Sequence, residues 1–315
     1  MSERDSASAT PAAPSARPIG FHVSIEGGLT RAVDRARERG CTAMQIFCGN
    51  PRAWRWACRS EHDVQAFRTR RTRAGLVPLV VHSCYLVNVC SPDRAVRRRS
   101  LSRLAAEFAT ARAIGAEHYV LHPGTARGRR PSWAVETAAR TIVRAAGRSR
   151  AGGRVSGPSL LLETTATRHG PGGRMETLGQ LLDRVRQTAA FPHVGLAVDT
   201  CHVFATGYDV RRRDEVDRLA ADLVAAGGEH AVGLIHVNDA RDPCGSGRDR
   251  HEHIGRGTIG TDGLKLVLNH PSLSAAPLIL ETPWESVAAD RRNLRAVLRL
   301  LPGSHGRHAW PTGSA

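Results

Sequence analysis

Eight short apolar runs recur along the chain, at 19–24, 42–48, 76–83, 118–124, 159–165, 194–200, 232–239 and 277–283. Continuous apolar runs of this length suit parallel strands covered on both faces. Longer Ala/Arg/Leu stretches separate them, among them 93–115, 131–147, 174–189, 210–226 and 284–300, and these read as amphipathic helices. Eight strands, each followed by a helix, predict an α/β chain closed into a (β/α)₈ TIM barrel. One domain over 18–301 accommodates them all. Residues 1–17 and 302–315 read as disordered tails by composition, with His305 and His308 solvated, and the Gly/Arg-rich stretch 148–157 reads as a mobile loop.

What ends these strands is the informative feature. The third closes on His82, the fourth on His122, the fifth on Glu163, the sixth on Asp199, the seventh on His236 and the eighth on Glu281. All six fall at the C-terminal edge, where barrel enzymes build their active sites. Any one alone reads equally well as a satisfied core histidine or a helix-capping acid. Six in succession do not, when His, Asp and Glu together fill only 44 of 315 positions (15 plus 29). Imidazole and carboxylate are the ligands zinc takes in hydrolytic sites. Six such groups exceed the needs of one tetrahedral ion, so at least two metals are expected. A carboxylate can bridge two cations where a neutral imidazole cannot, and Glu163 stands mid-ring.

Two further pairs lie in loops. His202 follows Asp199 by three residues in D-T-C-H, far enough to address a different metal. Asp249 and His251, two apart in D-R-H, point to one side of an extended segment. Glycines at 245, 247, 255, 257 and 260 free that loop to fold inward. His202, Asp249 and His251 would then build a third metal site. Three Zn²⁺ bring about +6 against −4 from Glu163, Asp199, Asp249 and Glu281, leaving about +2 for a phosphodiester.

The bulk charge points the same way. Forty-five basic residues against 29 acidic give a formal net charge of +16, with Lys265 the single lysine. Such an excess favours a polyanion over a neutral metabolite. Seven scattered cysteines, never in a C-x-x-C pair, argue against a disulfide framework or a zinc ribbon and fit a reducing cytoplasm. The first seventeen residues lack the apolar core of a secretory signal, and no run approaches a membrane span of about 20 residues. A membrane role is not expected.

HVSIEGGL, NPRAWR, HSCYLVNV, LHPG, LLLETT, VDTCHVFATGYD, HVNDA, GRDRHEHIGRGTIG and LILETP resemble, in this order, the motifs of the endonuclease IV (deoxyribonuclease IV) family of apurinic/apyrimidinic endonucleases. The resemblance covers about residues 18 to 301 and implies a TIM barrel with three zinc ions. It assigns His82, His122 and Glu163 to the first, Glu163, Asp199, His236 and Glu281 to the second, and His202, Asp249 and His251 to the third. The resemblance makes Glu163 the bridging, catalytic member. The implied reaction is cleavage of double-stranded DNA 5′ to an abasic site, leaving a 3′-hydroxyl, with removal of blocking groups from 3′ ends in base excision repair. It also implies a cytoplasmic monomer that joins the nucleoid when bound to DNA. Arg52, Tyr85 and Leu86 match the family's DNA-penetrating positions. Three positions depart from the pattern. Ser83 and Cys84 stand where an acid and a small residue are common, and Thr164 where asparagine usually follows the bridging glutamate. His22 is expected to support the ligands from behind, and His253 is a spare imidazole. The main alternative is a sugar isomerase or epimerase on the same barrel, which needs one divalent metal and has no use for Asp249, His251 or a large positive charge.

Overall fold

Strands and helices alternate through most of the described chain. The computed structural model describes residues 17–56, 58–149 and 157–303. Its first half runs β1 (Ile19–His22), α1 (Leu29–Glu38), β2 (Ala43–Phe47), α2 (Glu61–Ala74), β3 (Leu79–His82), α3 (Arg94–Ala113), β4 (His118–Leu121), α4 (Pro131–Ser149) and β5 (Ser159–Glu163). The second half runs α5 (Met175–Arg186), β6 (Val194–Asp199), α6 (Thr200–Thr206), α7 (Arg213–Gly227), β7 (Val232–His236), β8 (Asp239–Ala240), β9 (His251–Glu252), α8 (Gly260–Leu268), β10 (Leu278–Leu280) and α9 (Val287–Leu300). Nearly all of both expected tails, with His305 and His308, and most of the 148–157 loop lie outside the described residues.

Eight of these strands close into one parallel barrel in the order β1-β10-β7-β6-β5-β4-β3-β2, a TIM barrel as the apolar rhythm predicts. The remaining two, β8 and β9, pair antiparallel as a short ribbon, with Asp239 opposite Glu252 and Ala240 opposite His251. Two strand ends differ from expectation. β4 stops at Leu121 and β10 at Leu280, so His122 and Glu281 sit one residue past the last assigned strand residue. The two positions keep the strand's direction into the barrel mouth without being part of its ladder.

Side chains two apart on a strand share a face, and this decides where the chemistry sits. Ala43, Val80, Val120, Leu161, Ala197, Leu234 and Ile279, one from each of seven strands, form a separate fully buried cluster that fills the barrel interior. Their immediate neighbours, such as Leu160, Leu162, Val81 and Val198, belong to the outer core beneath the helices. Two residues along from each inner member lie Gln45, His82, His122, Glu163, Asp199, His236 and Glu281. On β1, Gly20 pairs with Ala43 and His22 pairs with Gln45, completing the ring. The inner apolar layer is therefore the floor of a polar mouth.

Candidate metal centre

Among the described residues four groups of possible ligand atoms gather over that floor, the atoms of each within 4.8 Å of one another: His82, His122 and Glu163; Glu163, Asp199, His236 and Glu281; His202, Asp249 and His251; and Asp199, Cys201 and His251. Glu163 belongs to two of them and divides its oxygens between them. Its Oε2 lies 3.2 Å from His82 Nε2 and 2.9 Å from His122 Nε2. Its Oε1 lies 2.9 Å from His236 Nδ1, which is 3.6 Å from Glu281 Oε2 and 4.0 Å from Asp199 Oδ2. In the third group Asp249 meets His202 Nε2 at 3.1 Å and His251 Nε2 at 3.0 Å. His251 Nε2 is also 3.6 Å from Asp199 Oδ2.

Local structure aims these side chains. Asp199 caps α6, its Oδ1 accepting from the backbone N–H groups of Cys201 and His202, so one residue both offers a ligand oxygen and starts the helix carrying His202. Asn238 Nδ2 donates to the other Asp199 oxygen at 2.8 Å, and Asn238 Oδ1 accepts from the Glu281 N–H. The β8–β9 ribbon delivers Asp249 and His251 to the edge of the mouth.

The far nitrogens of four histidines face carbonyl oxygens. His82 Nδ1 donates to Ser83 O at 2.8 Å, His202 Nδ1 to Thr164 O at 2.7 Å, His251 Nδ1 to Glu281 O at 3.0 Å, and His236 Nε2 to Gln45 Oε1 at 2.9 Å. An acceptor behind the ring fixes the tautomer and turns the other nitrogen's lone pair toward the centre. In front of that lone pair stands a carboxylate oxygen, also an acceptor. Two acceptors at about hydrogen-bond distance need a proton or a cation between them. His251 Nε2 is buried and lacks hydrogen-bond geometry despite its 3.0 Å approach to Asp249. The donor set fits divalent metal.

Without metal, protons take that role. Burial works against charge on His236, but Glu281 and Glu163 outweigh it and lift its pKa to about 9. Burial is likewise outweighed at His251, chiefly by Asp199, again to about 9. Desolvation would raise Glu163, yet His122 and His236 hold it well below the usual carboxylate range. Asp249 is depressed in the same way by His202.

The three departures from the family pattern sit among these supports. Thr164 Oγ1 accepts from the Asp199 N–H at 3.0 Å, and the Thr164 carbonyl holds His202. The Ser83 carbonyl holds His82, while Cys84 Sγ donates to Pro51 O. Cys201 lies near Asp199 and His251, but burial pushes its thiol far up and keeps it protonated. His22 Nδ1 reaches Glu281 Oε1 at 2.8 Å. His253 turns away from the centre, to Glu285 at 2.9 Å and Asn293. Sequence reasoning missed Gln45 and Asn238. Gln45 is fully buried, and its Nε2 also donates to Glu281 Oε1 at 2.6 Å. Its register, two beyond the inner Ala43, was the available signal.

Arg52 and Tyr85 stand exposed on the rim, Tyr85 with 62% of its surface open and its ring 5.0 Å from Phe47. Leu86 is half-buried against the core, so less of it is free than of Tyr85. The two loops are tied together from below. Buried Arg103 of α3 donates to the carbonyls of Asn50, Ala53 and Arg55 and pairs with Glu107 at 2.8 Å. Glu107 in turn accepts from the Cys84 N–H and the Tyr119 hydroxyl.

Known proteins resolve the family. Residues 33–302 match the xylose isomerase-like TIM barrel family. A protein described as probable endonuclease 4 in Halothermothrix orenii is 36% identical over 84% of this chain and 93% of its own. One so described in Methanoculleus marisnigri is 37% identical over 90% of this chain and 98% of its own. The chain belongs to the endonuclease 4 family. The crystal structure of endonuclease IV from Thermus thermophilus superimposes with a TM-score of 0.77 at 36% identity, covering 90% of this chain and 98% of that one. By contrast, 3-keto-D-glucoside 4-epimerase from E. coli, at a TM-score of 0.59 and 16% identity, shares the barrel alone.

Two outcomes follow from the supports and the protons. Gln45→Leu leaves His236 Nε2 facing no acceptor, so divalent-metal affinity should fall about 10–100-fold, read by competition with a chelating dye. The second concerns pH. His236 and His251 have raised pKa values, so their protons stabilise the metal-free fold fully below the unfolded value of about 6.5 and are lost as pH rises through about 9. Chelator-stripped protein should therefore melt lower at pH 9 than at pH 6.5. Metal affinity should rise over the same window, as the competing protons leave. A melting temperature of stripped protein that climbs from pH 6.5 to 9 would contradict this assignment.

Proposed function

We propose that this chain is a zinc-dependent endonuclease of DNA repair. It hydrolyses the phosphodiester 5′ to abasic sites in duplex DNA, leaves a 3′-hydroxyl and clears blocked 3′ ends. The observation that carries the reading is the division of Glu163, one oxygen turned to His82 and His122 and the other to His236. His82, His122 and Glu163 would hold one zinc. Glu163, Asp199, His236 and Glu281 would hold a second, and His202, Asp249 and His251 a third. Zinc, when bound, supplies Lewis acidity toward phosphate oxygens and offsets the charge that builds on them. The protein's own part is to hold nine ligands rigidly, and to keep four imidazoles in one tautomer.

The surroundings support a DNA substrate. A cavity of about 170 Å³ beside the mouth is lined by Arg127, Arg129, Arg168 and Arg174, on the loops after β4 and β5. Guanidinium groups of this kind meet phosphate without reading sequence. Arg52, Tyr85 and Leu86 would enter the duplex where a base is missing. The Arg103–Glu107 brace sets the spacing of the loops that carry them. A sugar isomerase on this barrel would bind one metal, and nothing in it would require the group at Asp249. No helix among the described residues is long and apolar enough to cross a membrane.

Metal content and cleavage test the proposal together. Purified protein should carry about three metals per chain, zinc predominating, and should cut a labelled duplex on the 5′ side of one abasic analogue. Glu163→Gln keeps the size and removes the bridging charge. Cleavage by that variant should drop by several orders of magnitude while the fold and duplex binding persist. One tightly bound metal and no cleavage would return the chain to the isomerase reading.

Recognition separates from chemistry in a second comparison. Replacing both Tyr85 and Leu86 with alanine should leave metal content unchanged. The ratio of affinities for abasic and intact duplex, at one salt concentration, should fall because inserted side chains offset lost stacking on the order of a few kcal/mol. An unchanged ratio would mean that the two residues only pack their loop.

A further inference from the structure

The third ligand group differs in origin from the first two. Glu163, Asp199, His236 and their neighbours stand at barrel strands, whereas Asp249 and His251 come from the long connection between β7 and α8. Loops are ordinarily too mobile to hold ligands within tenths of an ångström. Something must fix this one: buried Asp242 pairs with Arg248 and Arg250 on either side of Asp249, and a second buried carboxylate, Asp239, closes the loop on itself.

Asp239 is fully buried and accepts from five backbone N–H groups. Its Oδ1 takes Ala240 at 2.9 Å, Ile259 at 3.0 Å and Gly260 at 3.2 Å. Its Oδ2 takes Gly255 and Gly257, both at 3.0 Å. Four of these donors lie 16 to 21 residues downstream, so the carboxylate staples the end of the loop to its beginning. Thr258 reinforces the closure, its N–H donating to Ala240 O at 2.7 Å and its hydroxyl to Asp242 O at 2.6 Å. Asp239 and Ala240 are also the strand opposite which His251 pairs. The glycines of G-R-G-T-I-G follow from this closure. Gly255 and Gly260 hold φ of 77° and 71°, and a Cβ on Gly257 would stand 2.5 Å from Asp239 Oδ1.

We propose that Asp239 is the positioning residue of the third metal group, holding Asp249 and His251 in place without touching the metal. The inference rests on the trinuclear reading above. Asparagine at 239 keeps one acceptor oxygen but turns an N–H₂ toward backbone N–H donors, so at least two of the five bonds are lost. The ligands themselves stay unchanged.

The test measures zinc per chain by elemental analysis after dialysis, for the parent, D239N and a D249A/H251A reference. The parent should hold three, the reference two, and D239N two, with the weakest-bound zinc loosened about 10–100-fold. Amide hydrogen exchange should rise at 255–260 in D239N and remain unchanged in the barrel strands. Gly257→Ala offers a second route, because it strains the staple without altering any charge, and it serves if D239N does not fold. It should lose the same zinc. Retention of the third zinc at parental affinity in the folded variants would overturn the proposal. A parent holding fewer than three would instead overturn the trinuclear reading, an outcome visible without any variant.

Discussion

Burying acids beside histidines imposes the condition on which this molecule is built. Glu163, Asp199 and Glu281 converge with His82, His122 and His236 in a mouth largely closed to water, Glu163, Asp199 and His236 fully buried. Isolated ionised groups in such a place carry a penalty of several kcal/mol each. Here each charge is met at short range, but the near nitrogens of the imidazoles offer lone pairs, not protons, as long as their far nitrogens donate to carbonyls. The cluster is thus incomplete in its neutral form. It must bind either protons, which lifts His236 and His251 to about 9, or cations. A site that holds protons this firmly at neutral pH exchanges them for divalent metal as pH rises.

The supports make sense in that light. Gln45, Asn238, Thr164 and the Ser83 and Glu281 carbonyls all bind a ligand residue by its side chain or backbone. Each fixes an orientation that electrostatics alone would leave free. Farther out, Arg103 and Glu107 do for the rim what these groups do for the centre. Their ion pair is almost completely buried and would cost about 3–5 kcal/mol to break by removing one partner. Burial raises Glu107 above the ordinary carboxylate range even with Tyr119 and Arg103 against it. The pair is retained at that cost where it spans the two loops bearing Arg52 and Tyr85.

How much of this could be read from the chain depends on periodicity. Barrel strands show as continuous apolar runs because both faces are covered, and the strand-end acids and histidines stand out against them. The ring then follows from counting in twos. Gln45 escaped notice because an amide advertises no chemistry; only its place above Ala43 marks it. Helix α2 buries Phe67 as its one fully covered residue and carries no apolar stripe, so its limits rest on caps, Ser60 accepting from the Asp63 N–H and Gly75 at φ 64°. The β8–β9 ribbon is two residues a side, too short for any alternation to show. Asp239 is least legible of all, since its partners are backbone amides that leave no mark on neighbouring residue types beyond the glycines.

The divide between strand-borne and loop-borne ligands also bears on how one barrel serves different chemistries. The inner apolar layer and the ring of positions above it follow from closure and the two-residue period, and in this chain acids, histidines and a glutamine occupy that ring. The epimerase likeness at 16% identity extends to that barrel and no further. What the ring cannot supply is a group displaced toward the rim, because its side chains all rise from one floor. Here the displaced group is assembled by two devices: Asp199 capping α6 to place His202, and Asp239 closing the loop that carries Asp249 and His251. Both act through backbone N–H groups on a buried carboxylate, an interaction that is strong and leaves little freedom of orientation. The reach of the site beyond its barrel depends on these two aspartates rather than on the strands.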